Sequence, residues 1–408
     1  MASRLLAHEV ADLCLGKPPL KSLSISATVR HALTVLKSTE DTHVSIWSCH
    51  HNNHLLDQQP LINNCLCIGK ICMVDIICYL CKQDNIESPS SALDSPVSVL
   101  LSRDLAVVRH VDPSTSLVEA IDLIIKGAQN LVVPISSRTT INSKRRQIQQ
   151  QQLSIAPTTH TGGIEFCWLT QEDIVRFLLS SIALFSPTAA YSVESLGIIN
   201  TDILTVNYHS PALTALGDII TSLADQTSVA VIDDDGNLIG EISPFTLAYN
   251  DETAAAAITT LSAGDLMAYI DCGGPPEDIV RLVEARLKER NLKGMLDEFS
   301  VDYSSGIDPL VSCNSPTSFS SDDDEPLSLT TVKLGRFSRS SSYSARMTRR
   351  AEAIVCYPGS SLVAVMIQAI AHRVSYVWVI EEDCSVIGIV RFSGMLQVFR
   401  AHLESLMK

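Results

Sequence analysis

The chain has 408 residues, of which 46% are apolar and 18% charged, and it carries a formal net charge of −15. Such a composition suits a well-buried protein of two or three domains at roughly 150 residues each, and it excludes a disordered chain. The acidic balance argues against binding nucleic acid or an anionic membrane surface, so neither is an expected partner.

Residues 1–13 carry Glu9 and Asp12 and no long apolar core, which makes a poor secretory signal and a poor transit peptide. The most apolar stretch, Phe177 to Phe185, is nine residues long and follows Arg176, too short to span a bilayer. Twelve cysteines are scattered through the chain and read as reduced thiols, so the expected location is cytoplasmic, with the nucleus as the alternative.

In chain order, one pattern recurs four times. A helix from Thr28 leads into a strand at Val44-Ser-Ile-Trp, then a second strand from Cys67 enters a helix at Asp75. The second copy runs from Ser116 into Leu131-Val-Val-Pro-Ile, then from Phe166 to Asp173. A third runs from Ala212 into Ser228-Val-Ala-Val-Ile and on through Ile239 to Thr246. The fourth runs from Ser361 into Tyr376-Val-Trp-Val-Ile and on through Ile387 to Gly394. Short strands precede the second copy (Leu105 to Val108) and the fourth (Ala353 to Val355). The clearest self-similarity is Val231–Gly240 against Val379–Gly388, with five identical positions. Both stretches read as a hairpin with an acidic turn. One such unit is too small to bury both faces of its sheet, so units should pair.

Two segments depart from the unit. Residues 137–163, with Lys144-Arg-Arg and a glutamine run, are too polar to fold and read as a loop. Residues 273–350 open with Pro275-Pro276-Glu277-Asp278, a helix start, and place Ile279, Leu282, Val283 and Leu287 on one face. Beyond about Ser300 the segment turns serine-rich. Ser320 and Ser321 precede an acidic cluster, and Ser342 follows Arg339. A solvated linker and a phosphorylation segment both fit this composition.

The repeats, above all Glu119 to Ile135 with Leu169 to Leu178 and the two acidic hairpins, resemble cystathionine-β-synthase (CBS) domains. In layout the chain is similar to plant CBS-domain proteins of the four-repeat type. The resemblance implies an α/β (α+β) fold of four CBS repeats in two tandem pairs, or Bateman modules. It divides the chain into 1–85, 95–185, 193–258 and 261–406, with the first unit paired to the second and the third to the fourth.

In that family a hydroxyl residue and an aspartate three positions later, where the second strand meets the closing helix, hold the ribose of an adenosine-containing ligand. The chemistry is sound. A carboxylate accepts both ribose hydroxyls, and a helix N-terminus favours an anion. The second unit matches fully with Thr170 and Asp173. The first has Asp75 but Cys72 in place of the hydroxyl, and the third has Ser243 but Thr246 in place of the acid. The fourth, with Arg391 and Gly394, keeps neither. A threonine followed by an acid three residues later is also a helix-capping box, so both readings stay open.

Phosphate-facing cations in the family sit just before the first core strand, where this chain has His43, Asn130, Ser228 and Tyr376. Only His43 can be cationic there; Arg109, His110 and Arg176 are the substitutes in reach of the argument. Cys49, His50, His51 and His54, with Cys65, Cys67, Cys72, Cys78 and Cys81, offer metal-ligating atoms but no finger or ribbon spacing. No metal is therefore expected. No phosphate loop, nucleophile elbow or His-Glu-x-x-His motif is present, so the chain is not expected to be an enzyme.

The expected function is that of a regulatory protein that binds an adenosine nucleotide or S-adenosylmethionine and acts on a protein partner. One alternative is an interaction scaffold with degenerate clefts, controlled through the serine-rich insertion. Another is a gamma-type regulatory subunit of a protein kinase. Self-association into a homodimer is a further expectation from the family.

Overall fold

A computed structural model describes residues 7–39, 41–49, 65–101, 108–135, 164–271, 274–297 and 352–407. The polar loop 137–163, residues Ser320, Ser321 and Ser342, and His50, His51 and His54 fall outside that set.

Four small sheets share one plan. A short strand runs parallel to a second, which pairs antiparallel with a third. They are β1 (Ser22–Ser24), β2 (His43–Cys49) and β3 (Cys65–Cys72); β4 (Val108–His110), β5 (Asn130–Ile135) and β6 (Glu165–Thr170); β7 (Thr205–Asn207), β8 (Val229–Ile232) and β9 (Leu238–Ile242); and β10 (Val355–Cys356), β11 (Tyr376–Ile380) and β12 (Val386–Arg391). Parallel neighbours need a crossover, and an amphipathic helix supplies it. In the first, second and fourth units that helix is α2 (Val29–Ser38), α4 (Leu117–Ile125) and α9 (Leu362–His372). Each starts at a hydroxyl cap, Thr28, Ser116 or Ser361, which accepts a backbone N–H three residues on. The third unit begins instead with a 3₁₀ turn, Ala212–Ala215, and its helix α6 (Leu216–Asp225) has no side-chain cap. Closing helices follow the third strands. They include α3 (Met73–Leu80), α5 (Gln171–Ser180) and α10 (Phe392–Met407), while the third unit closes with a short turn and α7 (Ala254–Thr260).

The repeated acidic hairpins are alike in backbone detail. Each has a register shift one residue before its turn, at Val231/Ile232 and at Val379/Ile380. Each turn puts the matching residue in the left-handed region, Gly236 at φ 85° and Cys384 at φ 70°. Such a bulge twists the strands and fixes their register.

Each unit is completed by the segment that leads into its neighbour. Helix α1 (Val10–Leu13) belongs by sequence to the first unit but packs on the second: Val10 N donates to Thr115 O at 2.9 Å and Leu117 N to His8 O at 3.0 Å. Residues 95–97, leading into the second unit, bond back to Ala27 and Val29 of the first. The same exchange links Tyr191 and Val193 to the fourth unit and Leu261 and Ala263 to the third.

Units one and two meet through their sheets, where Trp47, Cys65, Cys67, Val108, Val132 and Phe166 form a small apolar cluster. Units three and four meet likewise, with Leu238 N bonded to Cys384 O. The two large cores run the other way, one joining units one and three and the other units two and four. Helix faces make these contacts, α3 against α6 and α4 against α10, so each helix buries its apolar stripe against a different module from its sheet. Arg400 adds a two-pronged ion pair to Asp122 across the second core, at 2.6 and 3.2 Å.

The helix expected at Pro275-Pro276 is α8 (Glu277–Glu289), and it packs into the core of units one and three. Val280, Val283 and Leu287 take its buried stripe, with the expected Ile279 and Leu282 flanking them. Arg286 and Arg290 donate to the last carbonyls of α7, Thr260 O at 2.8 Å and Thr259 O at 2.6 Å. Those carbonyls have no partner within the helix, so the guanidinium groups satisfy them. Among the described residues, no helix is long and apolar enough to cross a membrane.

Candidate functional site

The antiparallel registers bring the candidate residues of the first module onto matching rungs. His43 pairs with Cys72 and Asn130 with Thr170, so the candidate residues lie where a third strand hands over to its closing helix. At the second unit, Thr170 caps α5 and accepts from Asp173 N at 3.3 Å, while Thr170 N and Oγ1 both donate to Asp173 Oδ2, at 2.8 and 2.7 Å. The capping box is therefore formed. Asp173 does more than cap: the Lys17 ammonium donates to the same oxygen at 2.6 Å, and the two side chains keep 22% and 25% of their surface exposed. Lys17 comes from the exchanged N-terminal arm.

At the first unit, Asp75 forms the equivalent box, accepting from Cys72 N at 2.7 Å. Burial pushes its carboxyl above the usual range, opposed by the Cys72 bond and by Lys70. Lys70 projects from β3 and donates to Asn130 Oδ1 at 3.2 Å, crossing from the first unit to the second. Burial pulls its ammonium down, while Cys72 and Asp75 hold it up. Asn130 is 1% exposed, and its Nδ2 has no hydrogen-bond partner among the described residues. A buried N–H without a partner is costly unless something occupies the space before it.

His43 is held below its usual pKa, first by burial and then by Lys70, so it is a neutral group beside the cation. The other expected cations lie elsewhere. Arg176 pairs with Glu172 on the exposed face of α5, Arg109 is exposed on β4, and His110 accepts from Cys67 N at 2.9 Å. Among the described residues, Lys17 bonds to Asp173 and Lys70 to Asn130, and these are the cations at the candidate positions. The sequence reading missed both, because neither precedes a core strand.

In the second module the corresponding side chains bond to one another. Ser243, 1% exposed, caps Phe245 N at 3.2 Å, and Tyr376 Oη lies 3.3 Å from its hydroxyl. Tyr376 also donates to the buried Glu241 carboxylate at 2.9 Å, and Trp378 Nε1 donates to it at 2.8 Å. At the fourth unit, Arg391 turns to Asp225 at 3.3 Å and to Asp202 O at 3.4 Å, both in the third unit. Thr170, Asp173, Asp75 and Ser243 thus occupy corresponding places in the fold, and the first three stand beside a lysine.

The described cysteines weighed as metal-ligating atoms are spread over β2, β3, α3 and the residue after α3, and no group of three or more His, Cys, Asp or Glu that could hold a metal converges among the described residues.

No family model matches the chain. It is 49% identical to the CBS domain-containing protein CBSX5 of Arabidopsis thaliana, over 99% of this chain and 100% of that protein. It is 20% identical to the SNF1-related protein kinase regulatory subunit gamma-like PV42b of the same plant, over 99% and 97% of the two chains. Among solved structures, a Methanocaldococcus jannaschii protein proposed as an archaeal homologue of g-AMPK superposes with a TM-score of 0.51 at 11% identity, covering 96% of this chain and 100% of its own. The four-sheet plan, the paired units and the near full-length identity agree: the chain belongs to the CBS domain-containing proteins.

Proposed function

We propose that the chain is a non-enzymatic regulatory protein in which the first module binds an anionic adenosine-containing ligand and the second holds the architecture rigid. The unpartnered Nδ2 of buried Asn130, set between Lys70 and the rung of Thr170, carries this reading. Asp173 and Asp75 would accept ribose hydroxyls, and Lys17 and Lys70 would meet phosphate or another anionic group. Tyr376 and Trp378 satisfy Glu241 at the corresponding position of the second module, whereas the first carries Lys70 and Asn130 there, and this difference favours the first as the ligand-binding half. Ligand occupancy would change a protein partner's affinity only if it favours one packing of the modules over another. The full-length likeness to a kinase regulatory gamma-like subunit supports a kinase complex as that partner.

The closed contact of Tyr376 with Glu241 in the second module also favours the alternative of a scaffold without a ligand. Calorimetric titration of the full chain with AMP, ADP, ATP, S-adenosylmethionine and adenosine separates the two. Saturable binding that is lost in Asp173→Ala supports the sensor. Folded protein that binds none of the five supports the scaffold.

A further inference from the structure

Two thiols face each other across the last rung of the β2–β3 ladder. The antiparallel register sets Cys49 of β2 directly opposite Cys65 of β3. Directly opposite residues in such a ladder have Cα atoms about 4.5 or 5.5 Å apart, according to the kind of rung, and a disulfide bridges either distance. They also project from the same face of the sheet. That face is the apolar one. Cys49 and Cys65 pack in the cluster of Trp47, Cys67 and Phe166 where the first and second units meet, whereas Leu66 is 54% exposed on the other face. Cys67 pairs with Trp47, so its Cα lies on the diagonal from Cys49, roughly 7–8 Å away and beyond the reach of a bridge.

We propose that Cys49 and Cys65 are a redox couple whose disulfide forms by exchange with oxidised glutathione and ties β2 covalently to β3. Each step balances. The Cys49 thiol loses its proton, its sulfur attacks one sulfur of oxidised glutathione, and the glutathione S–S bond breaks. One glutathione thiolate leaves and takes up that proton, so a mixed disulfide remains on Cys49. Cys65 then loses its proton and attacks the Cys49 sulfur, which displaces the second glutathione thiolate to be protonated in turn. Two protein thiols and one oxidised glutathione give one protein disulfide and two reduced glutathiones.

The roles follow from exposure. Cys49 is half-buried and meets the incoming disulfide, while Cys65, 8% exposed, resolves the mixed one. Burial, together with the neighbouring Cys65, pushes the Cys49 thiol up to about 11. A thiol held protonated attacks slowly at neutral pH, so the couple responds to a sustained change in glutathione rather than to a brief one. The same effect favours the disulfide at equilibrium, because strongly oxidising couples are those whose reduced thiolate is stabilised. The strands so joined carry His43 and Lys70. Any effect of oxidation on ligand binding rests on the function proposed above, whereas the disulfide does not.

The test incubates the full chain with excess oxidised glutathione, blocks the remaining thiols by alkylation and maps the peptides by mass without reductant. The expected product is a peptide pair joining Cys49 to Cys65, about 2 Da lighter than the sum of its parts and separated by a thiol reductant. Its rate of formation should rise about tenfold per pH unit between about pH 7 and pH 9, following the thiolate fraction of Cys49. Amide exchange in β2 and β3 should slow by roughly tenfold once the bridge has formed, because a cross-link suppresses local opening. Cys65→Ser should stop at the mixed disulfide on Cys49. Three results on the unaltered chain would overturn the proposal: both thiols recovered free, a mixed disulfide that persists on Cys49, or Cys49 joined to Cys67. None of these needs a variant to fold. Titration with AMP of the reduced and the oxidised protein keeps the two readings apart. Different affinities would extend the couple to the ligand site, whereas no binding by either form would count against the proposed function and leave the mapped disulfide standing.

Discussion

Tyr376 and Glu241 meet across the sheet interface of the third and fourth units, the phenol donating to the carboxylate at 2.9 Å where both residues are at most 3% exposed. The pair corresponds to Lys70 and Asn130 in the first module: a residue from the third strand of one unit reaches the first residue of the middle strand in the next. One module thus spends this position on a closed polar contact, and the other keeps an amide N–H in reserve. Tyr376→Phe keeps the ring and removes the donor, leaving the buried carboxylate short of one bond. The expected cost is about 1–3 kcal/mol, read as a lower denaturation midpoint. A midpoint unchanged from wild type would mean that Trp378 and the remaining neighbours satisfy Glu241 without the phenol.

Lys70→Met tests the cationic side of the first module, because it removes the charge while keeping most of the stem. Charge-assisted bonds contribute about 1.5–3 kcal/mol, so AMP should bind roughly ten- to a hundredfold more weakly while adenosine is little affected. Calorimetry on both ligands reads the difference. An equal loss for both would assign Lys70 to shaping the cleft through Asn130 rather than to meeting phosphate.

Much of the fold was legible in the sequence because its signals are local. Hydroxyl caps at Thr28, Ser116 and Ser361, the acidic hairpins and the Thr170–Asp173 box each declare themselves within a few residues. The site was legible only in its carboxylates. Lys17 reaches Asp173 across 156 positions because the arm crosses to the neighbouring unit, and no local pattern encodes that exchange. Lys70 is a lone charge in an apolar strand, and only the sheet-to-sheet packing shows that it faces Asn130. Tyr376 was read as a missing cation, whereas its hydroxyl is what satisfies the buried Glu241 of the neighbouring unit. The pairing of helices across modules was likewise hidden, since an amphipathic stripe says that a partner exists without saying which.

Stability should fall as the pH drops below about 6.5, the unfolded value for histidine, with His43 contributing. Burial and Lys70 hold its folded pKa well below that value, so between the two values the unfolded chain binds the extra proton. Stability from this group is complete above pH 6.5 and is lost as the pH falls toward the folded pKa, with a slope of at most about 1.4 kcal/mol per unit. Asp75 and Glu252, raised by burial, act in the opposite sense: acidification favours their folded forms. The informative quantity is therefore the difference between wild type and His43→Gln across pH 5–7. It should shrink on acidification, and a difference independent of pH would show that His43 does not titrate with folding.

Cys384 should be replaceable by glycine with a gain in stability. It occupies the position that Gly236 fills in the matching hairpin, at φ 70° against 85°, where a side chain crowds the backbone and glycine does not. Both turns hold their geometry through an aspartate that accepts the following backbone N–H groups, Asp233 from Asp235 N and Asn237 N, and Asp383 from Ser385 N. Those bonds pull both carboxyls below their ordinary pKa, and neither depends on the residue at the positive-φ position. Cys384→Gly should therefore raise stability by roughly 0.5–1 kcal/mol after the greater freedom of glycine in the unfolded chain is subtracted. The converse change, Gly236→Ala, should lower it by about the same amount. Thermal denaturation of the two variants reads the signs directly. A loss in Cys384→Gly would mean that the exposed thiol makes a contact worth more than the strain it imposes.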